Sequence, residues 1–456
     1  MYNNRLKEGF NMDFQGKRIL VIGLARSGMA AIRLLVKLGA DQITVTEKKE
    51  IKNKDELTAL GVTCVPQTDE VFAEQYDLVI KNPGVPPVSP FIVDMKKRGI
   101  PVITEIELAY QVSRPQHYAA ITGTNGKTTT TTLVYEFLKK AYGDKAHVGG
   151  NIGTPLCELV LEHNLLEEEG HYISLEISNA QLADIITFRP ETAAIMNLTP
   201  DHIDFMGGLD AYYRSKTRVY ENMKSDDTFV LNADDPVLKE YTDKYPVPCD
   251  CMTMSLEKCD TDAYMKDGYM FINGEQLLDV SRVCVPGKHN LQNILIAACL
   301  AHRLGVSAED IREVVYAFKG VEHRIEFVRE INGVKYYNDS KGTNTDATIT
   351  ALKSFDKGVI LLVGGFEKGL SMDEMKKHLG CVKNVIGFGA SGRRISTDLV
   401  GEEAIVVENL EEAVAKAAGL AESGDIVLLS PTTSSFDQYS CFEERGEHFK
   451  RIVNAL

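Results

Sequence analysis

The segment Tyr118–Leu133, YAAITGTNGKTTTTTL, decides the fold, because an apolar stretch passes through a glycine turn into a polar stretch led by Lys127. This pattern predicts a buried strand, a tight turn and a helix. Gly123 and Gly126 let the backbone approach an anion closely, and the amides and dipole of the helix start favour negative charge. The turn therefore predicts a phosphate site.

The residues after the turn indicate a nucleotide. Lys127 can reach the outer phosphates, and Thr128 occupies the position of a Mg²⁺-binding hydroxyl. The P-loop consensus has a glycine five residues before Gly126, where this chain has Ile121, so the loop is a variant. A plain strand-to-helix turn is the alternative, but the Lys-Thr pair favours binding of ATP or GTP.

Composition limits the other possibilities. A chain of 456 residues predicts several domains, and a net charge of −15 argues against a general nucleic-acid or anionic-membrane surface. No apolar run reaches the roughly 18 residues that span a bilayer, and residues 1–16 lack a signal-peptide core. Cys249, Cys251 and Cys259 lie close together without a second ligand group, which favours reduced thiols over a zinc site. We expect a cytoplasmic protein without membrane insertion.

Alternation of strand-like and helix-like segments predicts an α/β fold with three domains. Residues 1–113 predict a Rossmann-like N-terminal domain with a parallel sheet. Residues 114–320 predict a P-loop ATPase-like domain, mostly parallel, with a small antiparallel part near residues 245–280. Residues 321–456 return to Rossmann-like alternation.

The first domain contains a second glycine turn, Gly23-Leu-Ala-Arg-Ser-Gly28, and Glu47 ends the next strand. This arrangement resembles a dinucleotide fingerprint in which Ala25 replaces the middle glycine. A tight turn without a ligand, an NAD site and a UDP-sugar site all remain open. The segment Asn82–Pro87, NPGVPP, predicts a rigid loop at the end of another strand.

Polar residues also end strands in the second domain. Glu176 follows an apolar run and either caps a helix, pairs with a lysine or binds Mg²⁺ beside the nucleotide. His202 lies in DHID after the run AAIMNLTP, where a metal or substrate role competes with a structural one. Lys216, within YYRSK, is by default a solvated helix lysine.

Taken in order, these motifs resemble the Mur ligases, the ATP-dependent enzymes that form the peptide amide bonds of peptidoglycan. The resemblance covers essentially the whole chain and is closest to the D-glutamate-adding members. Asn179-Ala180 stands where those members usually have Ser-Phe, and the residues before Lys368 differ from those of some members. These departures concern local substrate contacts and not the family. The matching motifs are TGTNGKTT, GGNIGTP, LEIS, NLTPDHID, YRSK, GKHNLQN, EHRIE, NDSKGTN, GGFEKG and SPTTSSFDQYSCFEERG.

The resemblance implies a reaction and its catalytic residues. ATP would phosphorylate the carboxylate of UDP-N-acetylmuramoyl-L-alanine, and the amine of D-glutamate would displace the phosphate. Lys127 would bind the β- and γ-phosphates, with Thr128 and Glu176 on the first of two Mg²⁺ ions. His202 and a carbamylated Lys216 would serve the second ion, because a plain ammonium beside a metal is disfavoured.

The resemblance also assigns three groups of binding residues. For ATP they are Gly123, Thr124, Asn125, Gly126, Lys127, Thr128, Thr129, Asn293, Arg324 and Asp339. For the UDP-linked substrate they are Gly23, Ala25, Arg26, Ser27, Glu47, Asn82, Gly84, Asn151 and Gln181. For D-glutamate they are Lys341, Thr343, Lys368, Ser435 and Phe442.

Several alternatives remain open. An L-alanine-adding Mur ligase and a folylpolyglutamate synthetase share the phosphate loop, although the latter lacks a first domain like residues 1–113. An NAD(P)-dependent dehydrogenase with a regulatory ATPase domain would use the first glycine turn for its cofactor. A non-catalytic nucleotide switch would bind nucleotide without turnover that depends on acceptors. We expect a monomer.

Overall fold

Short apolar segments, each bounded by glycine, proline or polar turns, form three separate β-sheets. The computed structural model describes residues 13–51, 53–200 and 203–456. These residues form two units: one runs up to Asp279 and includes Gln292–Val314, and the other comprises Val280–Leu291 and Val315–Leu456.

The first sheet is wholly parallel, with strand order β3-β2-β1-β4-β5. Its helices alternate with its strands, as expected for crossover connections between parallel strands. The strands are β1 (Arg18–Ile22), β2 (Gln42–Glu47), β3 (Thr63–Pro66), β4 (Leu78–Lys81) and β5 (Val102–Ile103), and the helices are α1 (Arg26–Lys37), α2 (Lys54–Ala59), α3 (Asp69–Ala73), α4 (Pro90–Lys97) and α5 (Glu105–Val112).

The central sheet has nine strands in the order β14-β13-β12-β11-β10-β9-β6-β8-β7. Strands β6 to β11 are parallel to their neighbours, β12 pairs with β11 in parallel, and β12, β13 and β14 form an antiparallel meander. The strands are β6 (His117–Thr122), β7 (Ala146–Gly150), β8 (Tyr172–Glu176), β9 (Thr192–Ile195), β10 (Thr228–Asn232), β11 (Asp250–Ser255), β12 (Ala263–Lys266), β13 (Tyr269–Ile272) and β14 (Glu275–Asp279).

The helices that belong to this middle part of the chain begin with α6, which follows the phosphate loop. They are α6 (Lys127–Tyr142), α7 (Leu156–Glu162), α8 (Asn179–Leu182), α9 (Ile203–Met206), α10 (Leu209–Thr217), α11 (Pro236–Lys244), α12 (Lys288–Arg303) and α13 (Ala308–Ala317).

The third sheet has the order β15-β16-β20-β17-β18-β19, parallel except for the β15–β16 hairpin. Its strands are β15 (Glu326–Ile331), β16 (Val334–Asn338), β17 (Val359–Gly364), β18 (Val382–Phe388), β19 (Ile405–Val406) and β20 (Ile426–Leu429). Its helices are α14 (Thr345–Leu352), α15 (Asp373–Lys376), α16 (Gly389–Val400), α17 (Leu410–Leu420) and α18 (Phe442–Ala455).

The predicted α/β class is confirmed, and the described residues form three sheets of mostly parallel strands. The segment near residues 245–280 is only partly antiparallel, because β11 joins the parallel part of the sheet. Sequence analysis did not predict β3, β7, β10, β15 and β16. These strands are short, end in glycines or carry exposed charges, so their apolar pattern is weak.

The first two sheets share one continuous apolar core, which runs from Ile19 and Leu34 of the first domain to Leu156 and Leu175 of the second. Helices α1, α5 and α7 pack against one another within this core. The two glycine turns are therefore carried by one packed body. No helix within the described ranges is long and apolar enough to cross a bilayer.

Candidate active site

The carboxyl ends of the central parallel strands bring the predicted catalytic residues together. In the strand register, Ile121 of β6 pairs with Glu176 of β8, which also pairs with Gly150 of β7. Thr122 pairs with Ile195 of β9 on the other side. Loops that leave these strands must therefore start at one edge of the sheet, where open parallel sheets bind ligands.

The phosphate loop leads directly into α6 through a left-handed glycine. Gly126 has φ +84° at the N-cap of α6, and no side chain caps this helix. A Cβ at residue 126 would lie 2.4 Å from Oδ1 of Asn293, so a larger residue does not fit. Gly123, at φ +139°, is equally restricted, since a Cβ there would lie 2.8 Å from Cβ of Met196. The helix start thus presents its amides without a side-chain cap, as phosphate binding requires.

Two lysines point at the same backbone oxygen of this loop. Nζ of Lys127 donates to the carbonyl oxygens of Gly123 (3.0 Å) and Thr124 (2.8 Å). Nζ of Lys216, from α10, donates to the Gly123 oxygen at 2.9 Å and lies 4.5 Å from the Tyr212 ring centroid. Lys216 is only 2% exposed. It is therefore a buried group at the phosphate loop and not a solvated helix lysine.

Glu176 ends β8 beside the loop and is almost fully buried. Its Oε1 accepts a hydrogen bond from Nδ2 of Asn151 at 2.8 Å, and the Asn151 amide donates to the Glu176 carbonyl oxygen at 2.8 Å. Its buried Oε2 has no hydrogen-bond partner among the described residues. A buried carboxylate oxygen without a partner is costly, and a cation would satisfy it.

This arrangement fits both ATP and Mg²⁺. The uncapped helix amides and the Lys127 ammonium suit phosphate oxygens. The unpartnered Oε2 of Glu176 suits Mg²⁺, a hard cation that prefers oxygen ligands. Thr128 is the second residue of α6, and the next residue, Thr129, is buried. His202, the predicted contact of a second ion, lies outside the described residues.

The first glycine turn lies at the carboxyl edge of its own sheet. Gly23 has φ +95°, and a Cβ at Gly28 would lie 2.1 Å from the Gly23 carbonyl oxygen. Oε2 of Glu47 accepts the Leu24 amide at 2.8 Å, and Oε1 accepts the Lys48 amide at 2.7 Å. Burial acts to raise the pKa of Glu47, but these backbone donors outweigh it and hold the pKa below its usual value.

Around this turn, the predicted UDP-substrate residues fall into two groups. Ala25 and Arg26 are exposed, Ser27 is half-buried, and the Arg26 guanidinium donates to the Gly153 carbonyl oxygen at 2.9 Å, next to the Asn151 loop. Gln181 is instead buried, and its Oε1 accepts from the Ser178 amide and hydroxyl in a capping box of α8. Its side-chain oxygen is therefore used by the fold.

In the second unit, Asp339 follows β16 and is buried. Its Oδ2 accepts from the Ser430 hydroxyl at 2.7 Å, and Oδ1 accepts from the Ile325 amide at 3.3 Å. Burial raises the pKa of Asp339 to about 7, against the opposing effects of Ser430 and Arg324. Arg324 is exposed between two residues with positive φ, His323 at +61° and Ile325 at +46°. Such strain in a β-branched residue occurs preferentially at functional loops.

The predicted D-glutamate residues also lie in the second unit, and two pairs of them are in contact. Nζ of Lys368 donates to the Thr343 carbonyl oxygen at 3.2 Å, and Nζ of Lys341 lies 5.7 Å from the Phe442 ring centroid. Ser435 is buried in the loop after β20, and its carbonyl oxygen accepts from the Tyr439 amide at 2.9 Å.

Two residues that sequence analysis did not single out organise these loops. Asn197 exchanges hydrogen bonds with the backbone of Asn125, through Oδ1 (2.9 Å) and Nδ2 (3.1 Å). Its position directly after a buried strand was the available signal. Arg445 is fully buried in α18 and donates to Ser340 and to the Thr433 carbonyl oxygen. Its place among the charged residues of a helix gave no such signal.

Comparison with known proteins agrees with this geometry. The chain matches the Mur ligase MurD-like N-terminal domain over residues 17–104, the Mur ligase middle domain over 121–301 and the Mur ligase glutamate ligase domain over 323–433. An uncapped phosphate loop beside a buried carboxylate defines a nucleotide-dependent α/β enzyme. The chain belongs to the Mur ligase family, whose members are ATP-dependent amide-forming ligases.

Two curated relatives are similar over nearly their whole length. The UDP-N-acetylmuramoylalanine--D-glutamate ligase of Geobacillus kaustophilus is 42% identical over 453 residues, covering 97% of this chain and 98% of that protein. The enzyme of the same name from Thermoanaerobacter pseudethanolicus is 41% identical over 460 residues, covering 98% and 100%.

Solved structures share the fold at lower identity. The UDP-N-acetylmuramate-alanine ligase of Thermotoga maritima has a TM-score of 0.57 and 22% identity, covering 96% of this chain and 99% of that one. A UDP-N-acetylmuramoyl-L-alanyl-D-glutamate--2,6-diaminopimelate ligase has a TM-score of 0.58 and 19% identity, covering 98% and 94%.

Proposed function

We propose that this enzyme adds D-glutamate to UDP-N-acetylmuramoyl-L-alanine with hydrolysis of ATP to ADP and phosphate. The acceptor carboxylate attacks the γ-phosphorus and becomes an acyl phosphate. The D-glutamate amine then attacks the acyl carbon, and the tetrahedral intermediate expels phosphate as the amide forms. The observation that carries the proposal is the phosphate loop with Lys127 beside the buried, unpartnered Oε2 of Glu176. The chain is also about 40% identical, over nearly their full length, to enzymes named UDP-N-acetylmuramoylalanine--D-glutamate ligase.

At the phosphate loop, residues Gly123 to Thr129 bind the triphosphate, and Asn293 contacts the adenine side. Lys127 leaves its backbone acceptors to neutralise the β- and γ-phosphates, which is the electrostatic task of phosphoryl transfer. Thr128 and Glu176 would hold one Mg²⁺ and His202 would serve a second, and the ions, when bound, would neutralise charge at the phosphate oxygens. Arg324 and Asp339 are further candidate contacts of the nucleotide.

Lys216 acts as a carbamate in this proposal. Its burial beside Lys127 places two ammonium groups at one carbonyl oxygen. After loss of a proton, the neutral Lys216 amine adds CO₂ and releases a second proton to solvent, which leaves an anionic carbamate in place of one ammonium. An anion next to the Lys127 ammonium removes the repulsion between like charges. The carbamate oxygens would then help to hold the second metal ion.

The two acceptor substrates use the remaining residues. The turn from Gly23 to Ser27, Glu47 and the Asn82–Gly84 loop bind the UDP part, and Asn151 and Gln181 lie toward the acyl part. Lys341 and Lys368 bind the carboxylates of D-glutamate, with Thr343, Ser435 and Phe442 around it, because a dianionic amino acid needs cations and hydroxyl donors.

Each domain thus has one task. Residues 1–113 bind the UDP-linked substrate, residues 114–320 bind ATP, and residues 321–456 bind the incoming amino acid and part of ATP. We propose a monomer that acts in the cytoplasm, with no nucleic-acid or membrane partner.

The test is phosphate release from ATP with UDP-N-acetylmuramoyl-L-alanine and a panel of D-glutamate, L-glutamate, L-alanine and no amino acid. We expect release only with D-glutamate, together with a product whose mass equals the two acceptors joined by loss of water. Release with L-alanine and UDP-N-acetylmuramate would assign the alanine-adding reaction instead. Release with a folate and glutamate would assign a folylpolyglutamate synthetase, and fluorescence changes of NADH on binding would favour a dehydrogenase.

A further inference from the structure

A buried ion pair joins the first domain to the second beside the proposed UDP site. Lys81 ends β4, and its side chain is completely buried. Its Nζ lies 3.1 Å from Oδ2 of Asp184, whose side chain is also completely buried. Lys96 of α4 binds Oδ1 of the same carboxylate but remains one-third exposed.

Such a pair is weak evidence for stability. Removing a lysine and a carboxylate from water costs several kcal/mol for each ion, and an apolar pair of similar volume is often as stable. Burial lowers the pKa of Lys81, and the charge of Asp184 only partly offsets this effect. The pair is better explained by the geometry that it fixes.

That geometry is the loop Asn82–Val85. In addition to its ion pair with Asp184, the Lys81 ammonium donates a hydrogen bond to the Val85 carbonyl oxygen at 3.0 Å. Within the loop, the Val85 amide donates to the Asn82 carbonyl oxygen at 2.9 Å, and Oδ1 of Asn82 accepts from the Gly84 amide at 3.0 Å. The loop is thus closed on itself and then held by one cation.

The same loop carries an unused donor. Nδ2 of Asn82 is buried and has no hydrogen-bond partner among the described residues. Cβ of Asn82 lies 2.7 Å from where a Cβ at Gly23 would be, so the loop packs directly on the first glycine turn. Displacement of the loop Asn82–Val85 would therefore disturb both the loop and the Gly23 turn, which are the candidate contacts of the UDP part.

On the other side, Asp184 belongs to a firmly held segment of the second domain. Arg218 donates to the carbonyl oxygens of Leu182, Ala183 and Ile185 that surround Asp184. Arg218 follows Lys216 by two residues, and Lys216 reaches the Gly123 oxygen of the phosphate loop. Asp184 is thus tied to the helical segment that contacts the phosphate loop.

We infer that Lys81 and Asp184 are positioning residues that fix the loop Asn82–Val85, and with it the UDP-linked substrate, relative to the phosphate loop. The inference rests on the proposed function, because it assumes that this loop binds the UDP-linked substrate. In-line attack needs the acceptor carboxylate at a set distance from the γ-phosphorus, and the substrate is held at its far end by the first domain.

The test compares Lys81→Met with Lys96→Met in the full-length enzyme. Both variants remove a cation from Asp184, but only Lys81 also holds the Val85 carbonyl oxygen. For Lys81→Met we expect the KM for UDP-N-acetylmuramoyl-L-alanine to rise roughly ten- to a hundred-fold, with the KM values for ATP and D-glutamate unchanged. Lys96→Met should leave all three KM values near those of the wild type.

Hydrogen exchange provides a readout that does not depend on catalysis. The Val85 amide should exchange faster in Lys81→Met than in Lys96→Met or the wild type, because the loop loses the hydrogen bond from Lys81 to the Val85 carbonyl oxygen. Calorimetric titration with UDP-N-acetylmuramoyl-L-alanine alone should give the same ranking of affinities. If the wild type itself does not bind this substrate, the proposed function fails. The exchange result still shows whether Lys81 holds the loop Asn82–Val85.

Two outcomes would overturn the inference. One is that Lys81→Met leaves the substrate KM and Val85 exchange at wild-type values; the other is that Lys96→Met raises both as much. If Lys81→Met does not fold, as judged by thermal unfolding, Asp184→Asn decides by the same criteria. This variant keeps the shape of the side chain and removes the charge, so the substrate KM should still rise, by less than in Lys81→Met.

Discussion

The two glycine turns of the first unit have the same backbone design and opposite chemistry. Each follows a buried parallel strand, contains a glycine with positive φ (Gly23 at +95° and Gly123 at +139°) and enters a helix without a side-chain cap. At the Gly23 turn the Glu47 carboxylate accepts the Leu24 amide. At Gly123 two ammonium groups, Lys127 and Lys216, donate to the glycine carbonyl oxygen.

The difference teaches that a strand–glycine–helix motif does not by itself choose its ligand. The backbone supplies amides and room for an anion in both turns. The neighbouring strands and helices supply the charge, since Glu47 comes from β2, the next strand of its sheet, and Lys216 comes from α10. The cationic turn suits a triphosphate, and the turn with a carboxylate suits hydroxyl groups of a ribose or sugar.

The largest expected effect on catalysis comes from removing Lys127 from the Gly123 turn. Lys127→Ala removes the ammonium that neutralises phosphate charge, and we expect kcat to fall at least a hundred- to a thousand-fold. The matched control is Lys139→Ala on the exposed face of the same helix, which should keep wild-type turnover. Near-normal phosphate release by Lys127→Ala would show that this loop is not the catalytic one.

Lys216→Ala tests whether the second lysine acts as a carbamate. We expect a nearly inactive enzyme that regains part of its turnover with acetate, because a small carboxylate can occupy the vacated space and supply the missing negative charge. Native mass spectrometry of the wild type should show the addition of one CO₂, absent from the variant. A fully active alanine variant, or a wild type without the adduct in the presence of substrates, would return Lys216 to a structural role.

Glu47→Gln tests the role of the Gly23 turn separately from that of the Gly123 turn. The amide keeps the shape of the side chain but removes the charge that accepts the Leu24 and Lys48 amides. We expect the KM for UDP-N-acetylmuramoyl-L-alanine to rise about tenfold while ATP binding is unchanged, since a hydrogen bond to a charged group contributes about 1.5–3 kcal/mol. Glu50→Gln, on the exposed segment after β2, is the control. An equal rise in the KM for ATP would contradict separate roles for the turns.

The last prediction concerns stability, not catalysis, at the contact between the domains that carry the two turns. Glu105 opens α5, is fully buried and accepts the Cys157 amide of α7 at 3.0 Å. Burial raises the pKa of Glu105 from 4.5 to about 7, although the hydrogen bonds from Cys157 oppose the shift. Because the folded state binds this proton more tightly than the unfolded state, Glu105 stabilises the fold most at low pH, and this contribution is lost as pH rises toward 7.

Glu105→Gln removes this titration. The unfolding midpoint of the variant relative to the wild type should therefore increase between about pH 5 and about pH 8, by the equivalent of up to about 3 kcal/mol. Thermal unfolding across that range measures the difference. A constant difference at every pH would show that Glu105 keeps its ordinary titration in the folded protein.

Sequence analysis predicted the sheets and the phosphate loop because their signals are local. Buried runs such as those of β6, β8 and β17 are mostly apolar, and glycines with Lys127 mark the turn between β6 and α6. The order of the motifs predicted the family. The short strands β3 and β7 escaped prediction, since four- or five-residue segments with small residues carry too little pattern.

What the sequence determined by itself is therefore the class of fold, the position of the phosphate loop and the membership of the family. Only the tertiary structure decided that Lys216 is buried at the Gly123 oxygen, that Oε2 of Glu176 lacks a partner, and that Lys81 reaches Asp184. The reason is physical. A strand, a turn or a helix start follows from neighbouring residues, whereas burial and charge pairing depend on groups brought together from distant parts of the chain, as Lys81 and Asp184 are by the packing of two domains.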